Sequence, residues 1–191
     1  MALPAEKVYY TFADVLMWDE NERAEIIDGE IFLMSPPPSS THQRIVAVLT
    51  AQLYAYLKGK RCEVFPAPFG VRLFEQDGDN PEDVDTMVEP DLSVVCDRRK
   101  IDEHGCKGAP DMVIESLSPS TRRHDRVTKF NLYQRAGVRE YWIVDPVNKD
   151  VQSFVLEDGR YSVKELGTAG DTLKVNILEN CVIDLTEVFP S

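Results

Sequence analysis

Asp91 opens the apolar run Leu92–Cys96, Glu115 lies inside Met112–Leu117, and Lys129 follows on a segment with helical periodicity. A carboxylate within an apolar strand is costly unless it is paired, hydrogen-bonded or bound to a metal. Two acids and one lysine make up a donor set for metal-assisted phosphodiester cleavage. Mg²⁺ (or Mn²⁺) prefers oxygen ligands and takes only one or two carboxylates from a protein, keeping several waters. Such an ion polarises a phosphate oxygen and lowers the pKa of a bound water. Asp91 and Glu115, with a backbone carbonyl near Ser116, are the expected ligands. Lys129 would orient the water or stabilise charge in the transition state.

The helix predicted from Thr121 to Ala136 sharpens this expectation. At about 100° per residue, Phe130, Leu132, Tyr133 and Ala136 define an apolar arc. Arg122, Asp125, Arg126 and Lys129 fall in the same arc, nearer the N-terminus. An ordinary amphipathic helix would turn those charges away from the core. The pattern implies an N-terminal half facing a polar cleft, with Lys129 delivered to carboxylates on neighbouring strands. The plainer alternative is an i,i+4 surface pair of Asp125 with Lys129. Arg122, Arg123 and Arg126 are candidate phosphate contacts near the helix N-terminus.

The elements that must position these groups read as follows. Thr11 caps a short helix through Trp18. Ala24–Met34 is a hairpin turning at Asp28-Gly29, followed by the breaker Ser35–Ser40. Thr41 starts an amphipathic helix to about Lys58 through Ile45, Val48, Leu49, Leu53, Tyr56 and Leu57. Strands are expected at Glu63–Leu73, Leu92–Cys96, Met112–Leu117 and Tyr141–Val144. Alternation places Glu115 with Val113 and Leu117. Gly137 stops the second helix. A second hairpin, Val151–Leu156 with Tyr161–Glu165, turns at Asp158-Gly159. The order predicts an α/β (α+β) fold, a mixed central sheet flanked by helices. One domain over residues 1–191 is expected, with its core at about 41–146.

Net charge is −12 over 191 residues, which argues against broad non-specific affinity for nucleic acid. The charge is bipolar, however. Residues 75–91 hold eight acids and no Lys or Arg, whereas residues 120–139 hold six basic residues and one acid. No stretch approaches a membrane span and no signal peptide is evident, so a cytoplasmic location is expected. The four cysteines form no CxxC pair. Cys62, Cys96 and Cys181 read as small buried hydrophobes, Cys106 as an exposed turn residue, and no disulfide is expected. His42 starts the first long helix and could approach the cleft, although a helix-start residue without a site role is the simpler reading. His104 and His124 read as loop and exposed helix positions, and Tyr141 and Trp142 as core.

EPDLSVV, followed by GAPDMVIESLSPSTRRHDRVTKFNLYQRAGVREYWIVDP, closely resembles the Uma-type family of restriction endonucleases, formerly a domain of unknown function. EIIDGEIFLMSPPPSSTHQRIV resembles the family's opening segment, so the likeness covers most of the chain. The family is placed in the PD-(D/E)xK nuclease superfamily. The resemblance implies a restriction-endonuclease-like fold, with Asp91 as the PD aspartate and Glu115 as the second acid. The superfamily lysine normally stands two residues after that acid, where this chain has Leu117. Lys129 would be the migrated lysine. Glu25 resembles the acid that the superfamily supplies from an early element; its alternative is a solvent-facing strand residue.

The leading expectation is therefore a Mg²⁺-dependent endonuclease acting on DNA, as a homodimer because cutting two strands favours two-fold symmetry. The alternatives are a catalytically weak nuclease-fold binding or regulatory module and a metal-dependent small phosphoesterase.

Overall fold

In the computed structural model, residues 9–18, 23–33 and 38–189 are described. The turn Asp28-Gly29 takes positive φ at both positions (52° and 79°), as a tight hairpin requires. It joins β1 (Ala24–Ile27) to β2 (Glu30–Leu33). Helix α1 is shorter than expected, a single turn from Phe12 to Val15 behind Thr11. Residues 35–37 of the Ser35–Ser40 breaker lie outside the described residues.

Helix α2 runs Ser40–Leu57, and Ser39 Oγ accepts from His42 N at its start. It buries Ile45, Leu49, Leu53 and Leu57, four of the six apolar positions that set the expected period. Strand β3 (Glu63–Pro66) is the first of the central sheet. The expected strand to Leu73 stops here, because Pro66 and Pro68 supply no N–H to a ladder. The chain then enters a second, three-stranded sheet as β4 (Val71–Arg72). The remaining strands are β5 (Leu92–Val95), β6 (Ile101–Asp102), β7 (Gly105–Lys107), β8 (Met112–Ser116), β9 (Glu140–Asp145), β10 (Asp150–Glu157) and β11 (Arg160–Thr168). Strands β12 (Thr172–Lys174) and β13 (Val182–Asp184) pair with each other, and helix α4 (Leu185–Val188) ends the described chain.

The central sheet has the order β11-β10-β9-β8-β5-β3. Only β8 and β9 are parallel, and the crossover between them carries the second helix. That helix is not uniform: His124–Lys129 is π-helical and leads into α3 (Phe130–Ala136). Gly137, at φ 84°, ends it in the left-handed region as expected. Strand alternation sorts the sheet into two faces. Leu92, Val94, Met112, Ile114, Trp142 and Val144 pack under α2 and the C-terminal elements. Val113, Leu117, Tyr141 and Ile143 pack under α3 with Leu132 and Tyr133. Glu115 shares the α3 side, among these buried neighbours.

The cysteine expectations need correction. Cys62 and Cys96 form a disulfide. They flank β3 and β5, whose antiparallel register sets Glu63 opposite Val95 and so brings the next residues outward together. A separation of 34 residues leaves no trace of that pairing in the sequence. Cys106 is buried, not exposed; its thiol donates to the Gly108 carbonyl at 3.4 Å, and burial pushes its pKa up to about 11.

Candidate active site

The β5–β8 ladder sets Leu92 opposite Ile114, so one further residue brings Asp91 opposite Glu115. Separate backbone donors tie the two acids together. Ser116 N donates to Asp91 Oδ2 at 2.7 Å, and Asp91 N approaches Glu115 Oε2 at 3.4 Å. The neighbouring β9 continues past them to Asp145, so the acids lie at the C-terminal end of the parallel β8–β9 pair.

Lys129 arrives from the crossover helix. Its Nζ lies 2.8 Å from Glu25 Oε1 and donates to Glu115 Oε1 at 2.9 Å, with Asp125 Oδ1 at 4.0 Å. Lys129 is 5% exposed, and Glu25 and Asp125 are buried with it. A surface Asp125–Lys129 pair is thus excluded, and so is a solvent-facing Glu25. The hairpin carrying Glu25 is docked by Ile26 N to the Met87 carbonyl at 2.8 Å, and Glu89 N donates to Glu25 Oε1 at 2.9 Å. The π-helical stretch is locally supported by Tyr141, whose hydroxyl donates to the Asp125 carbonyl at 3.1 Å.

Burial disfavours charge throughout the cluster, and proximity decides which groups keep it. Burial opposes the Lys129 charge, but Glu115, Glu25 and Asp125 hold its pKa well above the ordinary lysine value. Burial likewise raises Glu25, yet Lys129, His124 and the Glu89 amide outweigh it and hold its carboxyl at about 2. Glu115 goes the other way. Burial pushes it up to about 8, with Asp125, Asp91 and Glu25 adding to the rise against Lys129.

Two histidines belong to this neighbourhood, contrary to the simpler readings. His42 Nε2 lies 3.0 Å from Asp91 Oδ2, and that hydrogen bond raises its pKa against the effect of burial. His124 packs on Phe32, with Nε2 3.6 Å from Glu25 Oε2. Tyr133, expected only as core, donates to Glu115 Oε1 at 2.7 Å. Its signal in the sequence was its position one turn beyond Lys129 in the same arc.

The arginines are placed differently from expectation. Arg122 makes a two-pronged contact with Asp145, at 2.8 and 3.2 Å, and Arg126 lies 3.7 Å from the same carboxylate. One buried acid on β9 thus engages both guanidinium groups, which remain part-exposed. Arg123 is exposed.

Among the described residues no three His, Cys, Asp or Glu side chains form a ready metal cage. The two opposed carboxylates and the Ser116 backbone are nevertheless a hard-oxygen set of the size Mg²⁺ takes from a protein. The acids also outnumber the cation there: Glu25, Glu115 and Asp125 all lie within 4.0 Å of the Lys129 ammonium.

A mixed sheet with one parallel crossover, and acids at the end of that pair facing a buried lysine, defines a restriction-endonuclease-like protein. Residues 12–186 match the Uma2 family, described as "Putative restriction endonuclease", and the chain belongs to that family. An uncharacterized protein of Synechocystis sp. is 27% identical over 149 residues, spanning 76% of this chain and 73% of that protein. A crystal structure described as a putative nuclease belonging to DUF820, from Anabaena variabilis, shares the fold at a TM-score of 0.71 and 20% identity. That likeness covers 94% of this chain and 97% of the other. No helix among the described residues is long and apolar enough to cross a membrane.

Proposed function

We propose that the chain is a metal-dependent endonuclease that hydrolyses phosphodiester bonds in nucleic acid, with DNA as the substrate. The observation that carries this reading is Lys129 Nζ held between Glu25 and Glu115, beside the register-opposed Asp91. Asp91, Glu115 and the Ser116 carbonyl would hold Mg²⁺ or Mn²⁺. When bound, that ion polarises a phosphate oxygen and makes a water more acidic.

The chain's own groups have separable tasks. Lys129 has three N–H donors, two of which are directed at Glu25 and Glu115. The third serves a water or a phosphoryl oxygen, where a fixed positive charge stabilises the developing anion. Glu25 keeps Lys129 charged and in place. His42 orients Asp91, and Tyr133 orients Glu115. Cleavage of both strands favours a two-fold dimer.

Relaxed plasmid appearing only with Mg²⁺ or Mn²⁺, and lost in Asp91→Ala, Glu115→Ala and Lys129→Ala, is the expected result. Cleavage that persists in the Asp91→Ala and Glu115→Ala proteins would overturn the site. One observation favours a binding module instead: a net charge of −12 leaves the chain little general affinity for duplex. No cleavage of any nucleic acid, together with metal-independent binding, would decide for that reading.

A further inference from the structure

Phe65 and Phe69 form a parallel pair, with ring centroids 4.3 Å apart and planes 7° from parallel. Other aromatic pairs on the α3 side of the sheet meet edge to face, as Phe130 does with Phe154 and Tyr133 with Tyr141. Edge-to-face contacts interlock in a core, whereas a parallel pair ends in flat ring faces that a further planar group can continue. Both rings pack against the apolar cluster that holds Val95 and Val113, and both are only half-buried.

Strand register places this pair beside the catalytic acids. Phe65 lies opposite Ser93, and Ser93 lies opposite Val113. Two residues along each strand, the same face carries Ala67, Asp91 and Glu115 as the next row. Ala67 N donates to the Asp91 carbonyl at 3.0 Å, which ties the two strands together at that row. The step between the rows is about 7 Å, comparable to one extended nucleotide. Strand β3 is the outermost of the sheet, so the Phe65 row ends at an open edge. Pro66 and Pro68, both exposed, restrict the backbone between the two rings.

We propose that the Phe65–Phe69 pair stacks an unpaired base next to the scissile phosphate, so that the substrate is nucleic acid that is single-stranded at the cut. This rests on the endonuclease reading and names the substrate class within it. The charge of the chain gives the physical reason. At −12 it offers phosphates little ionic attraction. Stacking of bases on aromatic rings tolerates any sequence and supplies affinity without neutralising a phosphate. A base inside a duplex is paired and stacked on both sides, and reaches the rings only by being flipped out.

The test titrates a labelled single-stranded DNA and the duplex of the same sequence into the full chain carrying Glu115→Gln, so that binding is measured without cleavage. The single strand is expected to bind more tightly. Phe69→Leu, which keeps an apolar side chain but removes the ring, should weaken single-strand binding about tenfold, as loss of one base–aromatic stack does. The log–log salt slope should stay unchanged, because no phosphate contact is lost. Phe69→Tyr keeps the ring and should bind as the parent does. So should Tyr54→Ala, which removes an exposed ring on α2. In the Glu115→Gln chain, 2-aminopurine walked along the strand should lose fluorescence at one position, and regain it with Phe69→Leu. That readout stands even if Phe69→Leu lowers the melting temperature. No quenching at any position, or duplex bound as tightly as single strand, would overturn the platform. Metal-dependent cleavage of duplex by a Phe69→Leu chain at the parental rate would also overturn it, while the endonuclease stands. Ring-dependent binding of single strands by a wild-type chain that cuts nothing would support the platform and remove the endonuclease alone.

Discussion

The Tyr133 hydroxyl and the Lys129 ammonium donate to the same oxygen, Oε1 of Glu115, at 2.7 and 2.9 Å. Oε2 is thereby turned toward Asp91, whose backbone N lies 3.4 Å away. The carboxylate has one oxygen committed to the protein and one facing its partner acid. Tyr133→Phe removes one of the two donors while keeping the ring. We expect plasmid nicking to fall about tenfold, the low end for groups that orient metal ligands. Urea unfolding should show a loss of about 1–2 kcal/mol. A variant that nicks at the parental rate would show that Tyr133 does not position Glu115.

Lys129→Met leaves Glu25 and Glu115 buried without their shared cation. A stability loss of about 3–5 kcal/mol is expected from breaking a buried pair on one side. Adding Glu25→Gln should return part of that loss, because one stranded charge is removed with its partner. Strict additivity in denaturant titrations of the single and double variants would mean that Glu25 and Lys129 are not coupled.

Metal binding has a readout separate from cleavage. Mg²⁺ or Mn²⁺ at a hundredfold excess over its dissociation constant should stabilise the native chain by about 2.7 kcal/mol. Thermal unfolding with and without the ion measures this shift. Asp91→Asn and Glu115→Gln should each abolish it. A shift of equal size in both variants would place the ion elsewhere.

Asp145 gives a pH dependence of defined sign. Burial raises its pKa, but Arg122 and the amides of Asn148 and Val147 outweigh this and hold it below the ordinary aspartate value. Its contribution is therefore complete above the unfolded pKa and is lost as pH falls through the lower folded value. At pH 7 Asp145→Asn should cost about 1.5–3 kcal/mol, the range for hydrogen bonds to a charged group. The gap from the parent should close as pH falls below about 4. Acid titrations of stability that stay parallel for the two proteins would contradict this.

The sequence carried the sheet and the core of the site for identifiable reasons. Apolar runs at Leu92–Val95 and Met112–Ser116 read as strands, the first opened by Asp91 and the second holding Glu115. The charge pattern on the second helix turned Lys129 inward, although periodicity alone could not reveal the π-helical turns that carry it there. What escaped notice depends on distant pairing. Asp145 closes a strand in the sequence, but in space it claims Arg122 and Arg126. The start of the first long helix offered His42 to the cleft, but its partner, Asp91, lies 49 residues away and nothing local names it. Cys62 and Cys96 are joined only by strand register.

The π-helical turns between His124 and Lys129 make the position of the lysine a matter of counting. Each backbone bond there spans one residue more than in an ordinary helix. Deleting a single residue between His124 and Lys129 would let the segment relax to regular α geometry and turn the residues before the deletion by about 100° relative to Lys129. Strands β8 and β9 and the apolar part of α3 would be left in register. The fold thus carries an indexing mechanism, in which the length of one helical segment, apart from the chemistry of any residue, decides which upstream side chains share the lysine's face.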